Sequence, residues 1–361
     1  MKDVSIFSFT TPLSAPTPVA NKTTNVVYIP DHGYQLLING RWFLSQDGLN
    51  WTMGTPFGMG TSVTGYKELF YVENINSVAV VNRGVNSRLY YSISENPYNS
   101  TSVTSFAIAS SDRFFTMSGG LYRIANSKLY SGMGNLEEGL CYAEYIAEYQ
   151  GKYYASGSAD PTLVRCGEDS YPLGTFYAPD HTLANSTKLP YKVIQLITTE
   201  SGIVAVTEQV KSTSPLYELI LHFYLLNDYN QPPQLLGSKS IKSTDSRRPV
   251  SNSSDFIAYH AGVYVITAYT NAADSSGNAF SYMLPFWVSS DLVNWFEVPV
   301  SYAGIASFPY YIPIGYGGDR FFVTGVSGGP LPQFLVSNDV NAFPESVKRL
   351  LSRVAGFLGG G

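Results

Sequence analysis

Short runs in which apolar and polar residues alternate cover most of the chain, as in Gly33-Tyr34-Gln35-Leu36-Leu37 and Gly262-Val263-Tyr264-Val265-Ile266. They are rich in β-branched and aromatic side chains. Alternation with a period of two, in such residues, marks strands with one buried face. The chain's 32 glycines and 21 prolines break the runs at short intervals, which places turns between them. No helical period stands out before the carboxy-terminal end. The pattern predicts an all-β protein.

The runs also recur. Each opens on Gly, Asn or Asp, at Gly33, Asn76, Gly120, Gly151, Gly202, Gly262 and Asp319, with spacings of 43, 44, 31, 51, 60 and 57 residues. Their mean of about 48 residues is the length of a four-stranded propeller blade. The spacing predicts a seven-bladed β-propeller over residues 1–343. Six or eight blades also fit, because the units between Gly151 and Gly262 vary in length.

A second repeat lies inside the first. Ser45-Gln46-Asp47-Gly48-Leu49-Asn50-Trp51 and Ser289-Ser290-Asp291-Leu292-Val293-Asn294-Trp295 both read S-x-D-x-x-N-W. Ser337-Asn338-Asp339-Val340-Asn341-Ala342-Phe343 is a third copy, and Ser92 to Tyr98 a weaker fourth. Each follows an apolar strand-like run. Serine and aspartate side chains can hold nearby backbone groups and fix a tight turn. The aromatic residue six positions after the serine then returns to the sheet. Ser45, Asp47, Trp51, Ser289, Asp291, Trp295, Ser337, Asp339 and Phe343 are therefore expected to be structural turn residues.

These turns resemble the Asp-box turns of sialidase-like β-propellers. The usual box is one residue longer, with Gly at its fifth position, whereas Gly48 is fourth here. Ser289 to Trp295 also looks like the S-x-D-L-x-x-W turn of five-bladed glycoside hydrolases. The resemblance implies a propeller architecture. In those families the boxes do not mark the active site.

After Phe343 the chain turns to Pro344 and a helical spacing of apolar residues, Val347, Leu350, Leu351, Val354 and Phe357 or Leu358,. A short amphipathic helix over 344–361 is expected, as a docking element for a partner subunit or packed on the protein's own rim. The last blade then lacks its outer strand. The run Val4 to Phe9 is expected to supply it and close the propeller, since closure removes exposed edges.

Only 14% of residues are charged, against about 25% in a typical domain. The surface must be finished with Ser, Thr, Asn, Gly and the 28 tyrosines. A net charge of -5 argues against nucleic-acid binding, which needs clustered Lys and Arg. No apolar stretch reaches membrane-spanning length. No apolar leader follows Met1-Lys2-Asp3, so a secretion signal is not expected. Cys141 and Cys166 read as small buried hydrophobes rather than a bridge.

Catalytic chemistry has no specific motif. A glycosidase needs two carboxylates about 5 to 9.5 Å apart, and Asp31, Asp160, Glu168 and Asp274 are candidates in no distinctive context. A sialidase should carry an F-R-I-P-like string before its first box. The nearest, Tyr122-Arg123-Ile124-Ala125, comes later and lacks the proline. The four histidines, His32, His181, His222 and His260, show no metal-ligand spacing,. No cofactor or metal is expected.

Two polar segments, Gln209 to Ser214 and Thr270 to Asn278, read as long binding loops, with Lys211, Ser212, Asn271, Asp274 and Asn278 as candidate contacts. The composition resembles that of bacteriophage tail and virion proteins. The expectation is a non-enzymatic assembly protein of a virion (tail, nozzle or fibre), assembled in the host cytoplasm. It would dock on other subunits through Val347, Leu350, Leu351 and Val354 and could contact a host-surface glycan. The alternative is a glycoside hydrolase, sialidase-like, or carbohydrate-binding propeller.

Overall fold

The computed structural model describes residues 1–10, 25–38, 41–56, 66–83, 87–92, 103–109, 112–117, 119–125, 128–131, 144–156, 163–168, 186–227, 231–243, 248–250, 256–273, 279–283, 286–298, 314–324 and 334–344. Among them there are strands and two short 3-10 turns, Val4–Ile6 and Glu73–Ile75, and no α-helix. The expected helix over 344–361, with Val347, Leu350, Leu351 and Val354, lies outside the described residues apart from Pro344.

Strand β1 is Phe9–Thr10. Sheet 1 then follows with β2 (Val27–Ile29), β3 (Gly33–Ile38), β4 (Arg41–Ser45) and β5 (Thr52–Pro56). Sheet 2 has β6 (Tyr66–Val72), β7 (Ser77–Arg83), β8 (Arg88–Ser92) and β9 (Val103–Ala107). Sheet 3 has β10 (Arg113–Met117), β11 (Gly120–Ala125) and β12 (Lys128–Ser131). Sheet 4 has β13 (Tyr145–Tyr149), β14 (Lys152–Ser156), β15 (Leu163–Glu168) and β16 (Ser186–Lys188). Sheet 5 has β17 (Lys192–Thr199), β18 (Gly202–Ser212), β19 (Glu218–Leu226) and β20 (Gln234–Lys242). Sheet 6 has β21 (Ile257–His260) and β22 (Val263–Ile266), then an inserted hairpin, β23 (Tyr269–Ala273) with β24 (Ala279–Met283). It resumes with β25 (Phe286–Ser289) and β26 (Phe296–Val298). Sheet 7 has β27 (Ile314–Gly317), β28 (Arg320–Thr324) and β29 (Phe334–Ser337). Among the described residues every pairing is antiparallel, and all but β22 with β25 and β1 with β29 join strands consecutive in sequence.

This run of consecutive antiparallel meanders is the strand plan of a β-propeller. The first strands touch in succession, β2 with β6, then β10, β13, β17, β21 and β27, and β27 touches β2. The apolar cores lie between neighbouring sheets. Val204, Val206 and Phe223 of sheet 5 pack with Ile257, Tyr264 and Trp287 of sheet 6. On its other face sheet 5 presents Ile203 and Ala205 to Tyr145 and Tyr154 of sheet 4. Both faces of these strands are buried, so their side chains alternate between two cores instead of between core and water.

The amino-terminal run corrects one expectation. Val4–Ile6 is a 3-10 turn capped by Asp3, whose carboxylate accepts from the Ser5 N–H at 3.0 Å. Only Phe9–Thr10 pairs with β29, in the register Phe9 with Ser337 and Thr10 with Val336. The apolar Val4 and Phe7 serve packing rather than a ladder. They sit in a core with Phe286, Phe321 and Phe343. Beside the strand, Asn338 accepts from the Ser8 N–H at 3.1 Å and donates to the Ile6 carbonyl at 2.9 Å.

Candidate functional site

The first two serine–aspartate turns are built alike and lie between the third and fourth strands of sheets 1 and 6. In the first, the Gly48 N–H donates to Ser45 Oγ at 2.9 Å. Asp47 accepts from the N–H groups of Leu49 and Asn50 at 2.8 and 2.7 Å and from the Asn50 amide at 2.7 Å. Trp51 Nε1 closes the turn on the Gly48 carbonyl at 2.9 Å. The second copy repeats each bond. Ser289 Oγ accepts from Leu292 N at 2.9 Å, and Asp291 from Val293 N, Asn294 N and the Asn294 amide at 2.9, 2.7 and 2.8 Å. Trp295 Nε1 donates to the Leu292 carbonyl at 3.2 Å. Burial pushes the Asp47 and Asp291 carboxyls up, but the converging donors more than reverse this and hold both below the usual carboxylate range,.

The third copy differs. Asp339 still accepts from the N–H groups of Asn341 and Ala342, at 2.7 and 3.3 Å. Ser337 Oγ turns away, accepting from Phe321 N at 2.9 Å and donating to the Asn338 carbonyl at 2.8 Å. In all three turns the aromatic ring lies between its own sheet and the preceding one. Trp51 packs with Phe322 and Val336 of sheet 7, Trp295 with sheet 5, and Phe343 with Phe286 and Val288 of sheet 6. These residues join sheets to each other.

The same end of the sheets carries the turns between first and second strands, and these bind one another. The Asn74 N–H donates to the Gly119 carbonyl at 3.0 Å, joining sheets 2 and 3. Tyr259 donates to the Glu200 carboxylate and Tyr34 to that of Asp319, joining sheets 5 with 6 and 7 with 1. His260 stacks on Tyr316 at 4.9 Å and 13°, joining sheets 6 and 7.

The opposite end carries the hairpins between second and third strands, and there sheet 5 is built differently from its neighbours. Its strands β18, β19 and β20 run on past the end of β17. Lys211 and Ser212, expected in a loop, lie in β18, with Ser212 opposite Glu218. The alternation of Gln209, Val210 and Lys211 allows a strand, and the partner strand Glu218–Leu226 supplies the ladder. Asn271, also expected in a loop, lies in β23 and pairs with Ser281. Asp274 and Asn278 are outside the described residues.

At this end each face of sheet 5 carries a polar group that sequence spacing did not single out. Toward sheet 6, Glu208 pairs with Arg248 and lies 3.8 Å from Lys192. Toward sheet 4, Tyr191 stacks on His222 at 4.7 Å and 12°, and His222 Nε2 shares a hydrogen bond of 3.2 Å with Gln209 Oε1. Burial lowers the tendency of His222 to take a proton,. Strand pairing brings Lys192, Glu208, Gln209 and His222 together, and Tyr191 and Arg248 join them from segments outside the strands. Opposite pairs such as Thr207 with His222 are set by the β18–β19 register.

The two described candidate carboxylates lie on different sheets. Asp31 is in the first turn of sheet 1, with φ 63, and Glu168 ends β15 of sheet 4. Asp160 and Asp274 are outside the described residues. Arg113, Arg248 and Arg320 reach separate partners, the Glu144 carbonyl, Glu208 and the Ser337 carbonyl. Among the described residues no three of His, Cys, Asp and Glu gather to hold a metal. None of their helices is long and apolar enough to cross a membrane.

No family model and no curated protein matches the chain. Similar solved structures include Hsv2 of Kluyveromyces marxianus, at 9% identity and TM-score 0.46, covering 85% of this chain and 90% of that one. The Nup133 β-propeller domain of Vanderwaltozyma polyspora matches at 12% identity and TM-score 0.41, covering 91% and 100%. PorZ, a surface component of the type-IX secretion system of Porphyromonas gingivalis, matches at 11% identity and TM-score 0.41 over 87% of this chain. This chain spans only 43% of PorZ. At such identities the likenesses say nothing of activity, and the architecture stands on the chain's own antiparallel meanders.

Proposed function

We propose that this chain is a non-enzymatic subunit of a larger protein assembly, a seven-bladed propeller closed by its own amino-terminal strand. The observation that carries the reading is the extended hairpin of sheet 5. Its strands β18 and β19 have 11 and 9 residues. It exposes Val210 on β18 and Leu216 in the turn that joins β18 to β19, at 44% and 46% of their full surface. Apolar side chains held out on a preformed support suit protein docking, since little order has to be imposed on binding. The circuit of first-strand contacts and the pairing of β1 with β29 support the closed propeller. Low charge and the wealth of tyrosine support a virion subunit, of a bacteriophage tail, nozzle or fibre. In this reading the apolar positions Val347, Leu350, Leu351 and Val354 form a second docking element, on their sequence spacing alone.

The test is co-expression of the full chain with the products of its flanking genes, followed by native mass spectrometry. A stoichiometric complex that is lost in the Val210→Asp, Leu216→Asp double variant is expected. Turnover of an oligosaccharide panel by the purified chain would overturn the reading and favour the glycoside hydrolase.

A further inference from the structure

On the flank of sheet 5 that faces sheet 4, we propose a carbohydrate subsite formed by Tyr191, His222 and Gln209, fitting one uncharged pyranose ring. It belongs to the same end of the molecule as the docking hairpin but does not depend on it.

The chemistry comes from three features. The first is the aromatic surface. Tyr191 precedes β17, reaches across β18 and stacks on His222 of β19 at 4.7 Å, and Tyr224 lies next in the row, 6.5 Å from His222. Tyr224 is buried, while Tyr191 and His222 are half-buried. The row is anchored in the core at one end and open to solvent at the other. Rings held in this way present a flat apolar surface to the C–H face of a sugar.

The second is the set of hydrogen-bonding groups beside the rings. The bond between His222 Nε2 and Gln209 Oε1 uses one ring nitrogen and one amide atom. It leaves the other ring nitrogen and the amide nitrogen to serve hydroxyls. Among the described residues, the Tyr191 hydroxyl has no hydrogen-bond partner. A donor, an acceptor and a hydroxyl beside an aromatic ledge form a small set of convergent polar groups of the kind that orients a ligand.

The third feature is the separation of charge. Along β18 the side chains alternate, so Glu208 points to the sheet 6 side and Gln209 to the sheet 4 side,. Lys192 and Arg248 both face Glu208 on the sheet 6 side. Tyr191, Gln209 and Tyr224 carry no charge, and burial disfavours protonation of His222. Such a surface favours a neutral hydroxylated ring over an acidic sugar or a phosphate.

The test uses the full-length chain and a panel of neutral glucose-, galactose-, mannose- and N-acetylglucosamine-terminated oligosaccharides, read by array and by calorimetry. Binding of at least one is expected. Tyr191→Ala is expected to weaken it by about tenfold or more, and Gln209→Ala by about threefold to tenfold. Thermal melting of each variant checks that the fold persists. Should Tyr191→Ala destabilise the chain, Tyr191→Phe keeps the stack and should retain most of the affinity. No binding to any member of the panel, or equal binding by wild type and both alanine variants, overturns the proposal. The Val210→Asp, Leu216→Asp variant should still bind the sugar, so loss of assembly and loss of sugar binding are read separately.

Discussion

The ring of Trp295 lies 5.5 Å from that of Phe223, at 32°, across the boundary between sheets 6 and 5. Trp51 makes the equivalent crossing from sheet 1 to sheet 7, where Phe322 and Val336 receive it. Trp51 is the more deeply buried of the two. Trp51→Ala should therefore cost more stability, about 3–5 kcal/mol, and Trp295→Ala clearly less. Urea unfolding of both variants checks the order. Equal losses would mean that burial of the ring does not set what each turn contributes.

The carboxylate of Asp291 is held below its free value of 3.8 by donors from Asn294, Val293 and Ser289. A depressed carboxyl stabilises the folded state fully above the free value, and that contribution fades as pH falls through the folded one. Asp291→Asn should lower stability at pH 7 by about 1 kcal/mol, and the gap to wild type should close below about pH 4. Denaturant titrations at pH 7 and pH 3 measure it.

His260 acts in the same sense, in a higher pH window. Burial is the main cause that lowers its proton affinity below the free value of 6.5, with Lys2 adding to it and the Gly318 carbonyl, Asp319 and Glu200 opposing it. The unfolded chain then takes up the proton first. Stability is full above about pH 6.5 and declines as pH falls toward the folded value. His222 is shifted the same way and adds to the decline. His260→Phe should flatten part of the slope in melting temperature between pH 7.5 and 5. An unchanged slope would refute the assignment.

Gly237 of β20 meets the next sheet's turn directly. A Cβ there would collide with the Leu292 carbonyl oxygen. Gly237→Ala should cost about 1–3 kcal/mol by forcing the two sheets apart. Proton–deuterium exchange should localise the loosening to Ser289–Trp295. If exchange there is unaltered, the contact is not tight.

Much of the architecture was legible because each sheet needs the same sharp first turn. Gly33, Asn76, Gly119, Gly151, Gly202, Gly262 and Gly318 all have positive φ and sit in those turns. The regular recurrence of Gly and Asn follows from that geometry. Val4–Ile6 misled because apolar residues packing from a 3-10 turn look like a strand in sequence. The polar runs at 209–212 and 270–273 looked like loops because hairpins beyond the core need no apolar face. Tyr191, Gln209 and His222 carried no signal at all. They are 13 to 31 positions apart, and only the fold of sheet 5 makes them neighbours.

Phe9 and Ser337 are partners in a ladder, yet 327 residues lie between them. During synthesis the amino-terminal strand must therefore wait, unpaired, until nearly all the intervening sheets have left the ribosome. Through that interval β29's future neighbour is an exposed edge available to any other extended segment, and two half-made chains could trade these strands. The protein's yield should thus depend on elongation rate and on how crowded its messages are with ribosomes.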